Sequence, residues 1–371
     1  MIGAGLTGCA AAFRLASSGA EVLVLERGEV NGGASGANGG SLHVQIPHEP
    51  FLKLGDRWAA SFASTLPLLL ESVTLWRRVE AQLGTDLEVS LKGGLLIAHT
   101  PAERAAIERK AALERRCGVD VEVISGPDAR ALAPYLSDGV ECAAFCPTEG
   151  KANPLLCTPA FARAAQARGA DIRTGCEVRS LVRETNGWRL STNLGVFKAD
   201  RVINAAGSHA GRVAELVGLP VDVESFPIQL SVTQPVGPLV EHLVYAASEK
   251  LTLKQTRQGG IIIGGGWPAE LDAAGRPVVR VDSLARNLEL ARRTVPAVGD
   301  LRLLRSWAAF VNGNASWMPI IGEAPGSPGF IMAYTPWIGF TASLATAYIA
   351  ADIAIGSQPE TSADLKAFAP A

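Results

Sequence analysis

The sequence predicts an α/β fold in which a Rossmann-like dinucleotide-binding domain is interleaved with a mostly antiparallel α+β domain. Three observations carry that expectation. The chain opens on a strand remnant, the glycine turn Gly3-Ala-Gly5-Leu6-Thr7-Gly8, an apolar helix from Cys9 to Ser18, a strand Glu21 to Leu25 and the acid Glu26, which is the order of a nucleotide-binding unit. Residues 221–311 are rich in short apolar runs broken by a single helical stretch, as an antiparallel sheet requires. Small-residue turns follow strands again at Ala205-Ala206-Gly207 and near Gly339, far along the chain. Residues 1–43, 148–218 and 318–371 are therefore expected to form the nucleotide domain, and 44–147 and 219–317 the second domain.

Each part of the opening unit has a physical task. Gly3 permits the tight turn, Gly5 lets backbone approach a pyrophosphate, and Gly8 lets the helix lie close on the sheet. The helix N-terminus offers free N–H groups and partial positive charge to phosphates. Glu26, at the tip of the second strand, is placed to accept hydrogen bonds from a ribose diol. The first strand is short, because only Met1 and Ile2 precede Gly3. A central strand is normally several apolar residues long. A missing natural N-terminal stretch is the expectation, with a weakened sheet and weaker cofactor retention.

Composition narrows the class. The 371 residues suit two interleaved domains, and 48 % apolar content with 39 glycines suits an enzyme with many tight turns. A net charge of −2 carries no electrostatic footprint for nucleic acid. Cysteines 9, 117, 142, 146, 157 and 176 read as reduced, mostly buried thiols of a cytoplasmic protein. Cys142 and Cys146 lack further ligands nearby, so no metal site is read. No transmembrane segment is expected: the best candidate, Gly339 to Ile355, is short and holds Asp352.

In chain order, Asn31 to His43 is a glycine, serine and asparagine tract containing Ala34, Ser35, Asn38, Gly39 and Gly40. A flexible linker has that composition. Its place directly after Glu26 and Arg27 favours a loop pressed against an extended ligand. Phe51 to Leu83 is helical and core-forming. Leu87 to Ser90 and Leu95 to His99 suggest a hairpin around Gly93-Gly94. Pro101 to Cys117 is a charged amphipathic helix whose Glu/Arg/Lys run reads as a solvated face. A helix follows from Pro159 to Arg168, then a hairpin around Asn186-Gly187. Strands Val202 to Asn204 and Phe330 to Tyr334 precede the two later small-residue turns. The last helix begins at Gly339-Phe340-Thr341, where capping alone would also explain the glycine and threonine.

These stretches, with Gly150 to Pro154, Trp307-Ala308 and Pro319-Ile-Ile-Gly322, make the chain resemble the D-amino-acid-oxidase-type flavoprotein family of glycine oxidase, sarcosine oxidase and D-amino-acid dehydrogenases. The Gly264-Gly-Gly266-Trp267-Pro268 and Trp337-Ile-Gly-Phe-Thr341 texture is most similar to the opine oxidase and hydrogen-cyanide-synthase branch. The resemblance implies an extended FAD. Gly3, Gly5, Leu6, Thr7, Gly8, Glu26 and Arg27 would hold its ADP part, with Val178 near the adenine. Ala34, Ser35, Asn38, Gly39 and Gly40 would follow the pyrophosphate and ribityl chain. Ala205, Ala206, Gly207, Gly322, Gly339, Phe340 and Thr341 would complete the site.

The implied chemistry is hydride transfer from the carbon beside a substrate amine to the flavin, giving an imine that hydrolyses. It needs positioning more than an acid–base dyad. The substrate is expected to be an opine-like or N-alkyl amino acid, with the small-molecule partner supplemented by subunits or an electron-acceptor chain. Rivals are a D-amino-acid dehydrogenase or oxidase, a flavin-carrying subunit inactive alone, and an NAD-dependent Rossmann dehydrogenase. One departure matters. The glycine oxidase stretch resembling Trp307 to Val311 carries an arginine that clamps the substrate carboxylate, whereas here Val311 stands there. Either Arg257, Lys254 or Arg305 replaces it, or the substrate differs, with Asn312, Asn314, Trp267 and Trp337 shaping a larger pocket. His43 is the remaining catalytic candidate, with a hydrogen-bonded supporting role as its alternative.

Overall fold

A computed structural model describes residues 1–371. One sheet is assembled from the predicted pieces of the nucleotide unit. Asp171–Arg173 pairs in parallel with Leu23–Leu25, and Val202–Asn204 pairs in parallel with Phe330–Tyr334. Ile320–Glu323 closes the edge antiparallel to Phe330–Tyr334. Ile2 joins the two halves through single parallel bridges to Leu25 and Asn204. The first strand is thus one bridging residue, held by Ile2 N–H to the Ile203 carbonyl at 2.9 Å and by Ala205 N–H to the Ile2 carbonyl at 2.9 Å.

Helix Leu6–Ser17 packs on this sheet between Pro154–Gln166 and Gly339–Ala354. Its apolar face (Cys9, Ala10, Ala12, Phe13) joins Phe161, Ile203, Ile331 and Ala347 in one buried core. Proximity is possible because these faces carry small residues, which lets backbones approach. Pro154–Gln166 begins five residues before the expected Pro159, which lies inside it. Asn153 supplies the start signal, its side chain accepting from Leu155 N–H at 3.0 Å.

The second sheet has eight strands, ordered Leu303–Gly313, Glu224–Thr233, Ile261–Pro268, Thr252–Gln255, Leu243–Ala246, Gly94–Ala98, Cys142–Cys146 and Glu122–Ser125. Every pairing is antiparallel except Leu243–Ala246 with Gly94–Ala98. The expected hairpin around Gly93-Gly94 is not formed. Ser90 bridges Lys151 instead, and Gly94–Ala98 pairs with strands distant in sequence, because Gly93 (φ +103°) turns the chain from one sheet into the other.

Two further expectations are corrected. By length and composition the helical run able to cross a membrane is His48–Trp76, not the C-terminal helix. It is broken at Gly55 (φ +77°) and buries Phe62, Leu66, Leu69, Val73 and Trp76 in the protein core. Helix Pro101–Arg116 is not charged only toward solvent. Lys110 and Glu114 are 0 % exposed and form an ion pair at 2.5 Å. Their i, i+4 spacing places them on the same buried stripe as Ala106, Ile107 and Ala111.

Candidate functional site

A cleft of about 620 Å³ runs from the end of the nucleotide sheet to the junction with the eight-stranded sheet. Of the residues read from sequence, Gly3, Gly5, Leu6, Thr7, Glu26, Arg27, Ala34, Ser35, Asn38, Val178, Ala205, Ala206, Gly207, Gly339 and Phe340 line it. So do Val311, Asn312 and Trp337 at its inner end. Turns from the start, middle and end of the chain therefore meet along one continuous wall.

The glycine turn is shaped by contact. Gly3 has φ +102°, and a Cβ there would lie 2.6 Å from the Ala205 carbonyl oxygen. A Cβ on Gly8 would lie 2.1 Å from the Gly3 carbonyl oxygen. Only glycine lets the turn, the helix and the Ala205 segment close this tightly. No side chain caps helix Leu6–Ser17 at Gly5. Both oxygens of Glu26 are engaged by backbone, Oε2 accepting from Ala4 N–H and Oε1 from Gly28 N–H, each at 2.8 Å. This fixes the carboxylate at the strand tip while leaving lone pairs free.

The tract after Glu26 is not a linker. It holds a short helix, Ala34–Ala37, and its side chains are tied down. Asn38 donates to the Ser35 carbonyl at 2.7 Å and accepts from Gly40 N–H at 2.7 Å. Trp307 Nε1 donates to the Ala37 carbonyl at 2.8 Å. Ser41–Leu42 then pairs with Gly150–Lys151.

Gly8, Gly39, Gly40 and Thr341 support this wall rather than line it, and Gly322 lies on the edge strand Ile320–Glu323, outside the cleft. Thr341 Oγ1 accepts from His43 N–H at 2.9 Å and joins the last helix to the loop. His43 lies behind that loop with its ring 4.9 Å from Tyr245. Burial, with the charge of Lys254, pushes its imidazole down to about 3, so it is neutral at pH 7.

Sequence reading missed what stands behind His43. Glu149 is buried, with Oε1 accepting from Val44 N–H at 2.6 Å and Gln45 N–H at 2.8 Å, and Oε2 accepting from the Tyr245 hydroxyl. Glu114 Oε1 accepts from Ile46 N–H at 2.6 Å. Two buried carboxylates thus hold three consecutive amides of the segment leaving the Asn31 to His43 tract, in place of a strand partner.

The proposed replacement cations lie elsewhere. Lys254, Arg257 and Arg305 line an adjoining cavity of about 820 Å³ with Gly39 and Trp307, which shares Gly32, Gly33, Ala37 and Asn38 with the cleft. Arg257 is paired with Asp86 at the surface. Lys254 is buried, donates to Ser41 Oγ at 2.5 Å, and is pushed down to about 7 by burial and by Lys151.

A turn–helix–strand unit with a carboxylate at the second strand tip, opening into a cleft against an antiparallel sheet, marks the class of dinucleotide-binding α/β proteins. The family profile of FAD dependent oxidoreductases (DAO) matches residues 1–353, and the chain belongs to that family. It is 26 % identical over 373 residues to the beta chain of sarcosine oxidase from Rhizobium meliloti (strain 1021), covering 98 % of this chain and 85 % of the relative. It is 28 % identical over 339 residues to an opine oxidase subunit of Rhizobium meliloti, covering 89 % and 85 %. The crystal structure of glycine oxidase from Geobacillus kaustophilus superimposes with a TM-score of 0.85 over 100 % of this chain and 97 % of that one, at 24 % identity. The protein is an FAD-dependent oxidoreductase. The NAD-dependent alternative is thereby set aside.

Proposed function

We propose that this chain oxidises the C–N bond of a secondary amine or amino acid of the opine-like or N-alkyl kind. The observation that supports this most is the inner end of the cleft, where Val311 and Asn312 stand and no lysine or arginine does. A valine cannot pair with a carboxylate, so recognition of a simple amino acid by an ion pair is lost there.

The residues fit FAD. The cleft is walled by the glycine turn and the Ala205-Ala206-Gly207 segment, and the first turn of helix Leu6–Ser17 opens onto it with Leu6 N–H alone taken by the Ser35 hydroxyl. Gly3, Gly5, Leu6 and Thr7 would hold the pyrophosphate, with Gly8 letting the helix close on the turn behind them, Glu26 and Val178 the adenosine, and Ala34, Ser35 and Asn38 the chain beyond. FAD when bound supplies the acceptor for a hydride leaving the carbon beside the amine. The start of helix Gly339–Ala354, also without a side-chain cap, presents its positive end to negative charge at the inner cleft. Trp337 and Asn312 orient the amine, and the apolar lining disfavours its protonated form. The resulting imine is hydrolysed by water.

Residues 1–43, 148–218 and 318–371 act in this reading as the FAD domain, and 44–147 and 219–317 as the substrate domain. Two relatives carry the names of subunits, which supports a partner chain that accepts the electrons. Six free thiols, five of them buried, support a reducing, cytoplasmic setting.

Reconstitution with FAD tests the first step: flavin bands near about 370 and 450 nm are expected. Anaerobic bleaching by a panel of D-amino acids, sarcosine, proline and opines tests the second. Bleaching by D-alanine-like compounds alone would refute the reading drawn from Val311.

A further inference from the structure

We propose that the backbone of Phe310 grips the substrate across its α carbon, and that the site takes an α-amino amide in preference to a free amino acid. The amine N–H of the substrate meets the Phe310 carbonyl, and its uncharged amide carbonyl meets the Phe310 N–H. This rests on the reading of the cleft as an amine-oxidising site and names the substrate class that site takes.

The phase of the strand argues first. Leu303–Gly313 is the edge of the eight-stranded sheet: Glu224–Thr233 pairs with one side of it and no strand with the other. Phe310 stands opposite Pro227, which has no N–H to give. The Pro227 carbonyl is turned the other way and accepts from Ala269 N–H at 2.9 Å. In an antiparallel ladder, facing pairs alternate between exchanging two hydrogen bonds and exchanging none. The Pro227–Phe310 pair is of the second kind, and so are Gln229–Ala308 and Ser225–Asn312, two residues to either side. The N–H and C=O of Ala308, Phe310 and Asn312 therefore point off the sheet.

They point at the cleft. Ala308 to Asn312 line it without a gap. Successive side chains of a strand alternate between faces, so an unbroken run marks an edge turned toward the space. The Asn312 carbonyl shows the direction: Trp337 N–H, also at the cleft, donates to it at 2.9 Å. No backbone group of the protein takes the N–H or the carbonyl of Ala308 or Phe310 on that side. Both residues are half-buried, and unmet amides in such a wall are hydrogen-bonding sites for what enters.

One amino-acid skeleton matches what Phe310 offers. In a hydrogen-bonded antiparallel pair, each residue gives its N–H to the other's carbonyl and takes the other's N–H on its own. An α-amino acid derivative carries the same two groups on either side of its α carbon, the carbon that loses the hydride. Held by both, that carbon is fixed between two hydrogen bonds, which is the positioning the reaction needs. Charge then chooses the derivative. The Phe310 N–H stands between the outward carbonyls of Ala308 and Phe310, whose negative ends repel a carboxylate and tolerate an uncharged carbonyl group. Val311, the next residue, brings no charge to offset them. An amide-linked carboxyl group fits this edge where a free carboxylate does not.

The test pairs glycolamide with glycolate, which differ in charge at the carbonyl and carry a hydroxyl where the substrate has its amine. Titrated against the flavin band of the FAD-loaded protein, glycolamide is expected to bind about tenfold more tightly. Phe310→Pro removes the outward N–H and no bond of the ladder, at an edge position where proline is tolerated. Phe310→Ala loses the ring and keeps the N–H. The preference is expected to survive in F310A and to fall at least about threefold in F310P. Anaerobic bleaching by sarcosinamide and by sarcosine runs beside this. Their amines differ in basicity, a factor that cancels when the amide-to-acid ratio of F310P is divided by that of F310A. The quotient is expected at about one third or lower. Equal affinity for glycolamide and glycolate in the wild type, or the same preference in F310P as in F310A, overturns the proposal while leaving amine oxidation standing. The wild-type comparison needs no variant, so it decides alone if F310P takes up no flavin. Failure of both amines to bleach a bound, photoreducible flavin overturns the amine-oxidising reading and the proposal with it.

Discussion

The hydroxyl of Ser35 accepts a hydrogen bond from the backbone N–H of Leu6 at 2.9 Å, across 29 residues of chain. The contact ties the small-residue loop to the first turn of helix Leu6–Ser17, so two segments lining the cleft are set by one side chain. Ser35→Ala removes the acceptor and leaves the Leu6 amide without it. A loss of about 1 kcal/mol is expected, read as a roughly fivefold weaker FAD affinity in a fluorescence titration of the apoprotein. An unchanged affinity would mean that the loop is positioned by Asn38 and Trp307 alone.

Glu26 carries a second structural load besides its expected ribose contact. Its two oxygens accept from Ala4, inside the glycine turn, and from Gly28, just past the strand tip. Glu26→Ala leaves both amides unpartnered and is expected to lower the stability of the FAD-free protein by about 2 kcal/mol, measured by urea unfolding. Glu26→Gln keeps one acceptor and should lose about half of that. If both variants weaken FAD binding without moving apoprotein stability, the backbone contacts are incidental.

Much of this site was legible because glycine turns are local. Gly3 and Gly8 announce close approach wherever they occur in a strand–turn–helix, and Glu26 follows at a distance fixed by one helix and one strand. Ser35 and Asn38 were legible from their position after that acid. The Lys110–Glu114 pair was hidden in a run of charges, although Ala106, Ile107 and Ala111 trace the buried stripe on which both sit. The bend at Gly93 was hidden because its consequence depends on strands Cys142–Cys146 and Leu243–Ala246, which no local pattern places beside it. The role of Trp317 was hidden for a similar reason: its stacking on Trp337 depends on a left-handed backbone that nothing in Ser316-Trp317-Met318 signals.

Lys110 and Glu114 show how much a buried pair can matter when only one member is removed. Lys110 Nζ donates to Glu114 Oε1 at 2.5 Å and to Gln45 Oε1 at 3.1 Å, while Glu114 Oε2 is buried without a partner. Burial raises the carboxyl of Glu114 above its usual range. Lys110→Met leaves that carboxylate uncompensated, and a loss of about 3–5 kcal/mol is expected at pH 7. The double variant K110M/E114Q keeps an acceptor for the Ile46 amide and should recover most of the loss. Chemical unfolding of the wild type, K110M, E114Q and the double variant decides this, and additivity of the two substitutions would contradict it.

His48 gives the pH dependence its sign. Both ring nitrogens are buried without hydrogen-bond partners, and burial, aided by Lys110, pushes the imidazole down to about 4 from 6.5. His43 is pushed down to about 3. A depressed histidine binds fewer protons folded than unfolded, so its stability is fully present above pH 6.5. That stability is lost as pH falls from 6.5 through the folded values of about 4 and about 3. Acidification from about pH 7 to about pH 5 should therefore cost on the order of 2 kcal/mol per histidine. His48→Leu is expected to flatten the curve by about one histidine's share, and equal pH slopes for the two proteins would exclude His48 as a source.

Val311 offers the converse test of the missing carboxylate clamp. It lines the inner cleft and pairs across the sheet with Phe226, so a long side chain placed there has the cleft as its outlet. Val311→Arg adds the absent cation where no other lysine or arginine stands. A charge-assisted contact contributes about 1.5–3 kcal/mol, equivalent to roughly 10–100-fold in affinity. The variant should therefore bind acetate or glycolate at least tenfold more tightly than the wild type, seen as perturbation of the flavin band. It should also gain reduction by sarcosine relative to carboxylate-free amines. Should acetate bind the wild type as tightly as V311R, a cation from outside the inner cleft already serves that role, and the reading drawn from Val311 fails.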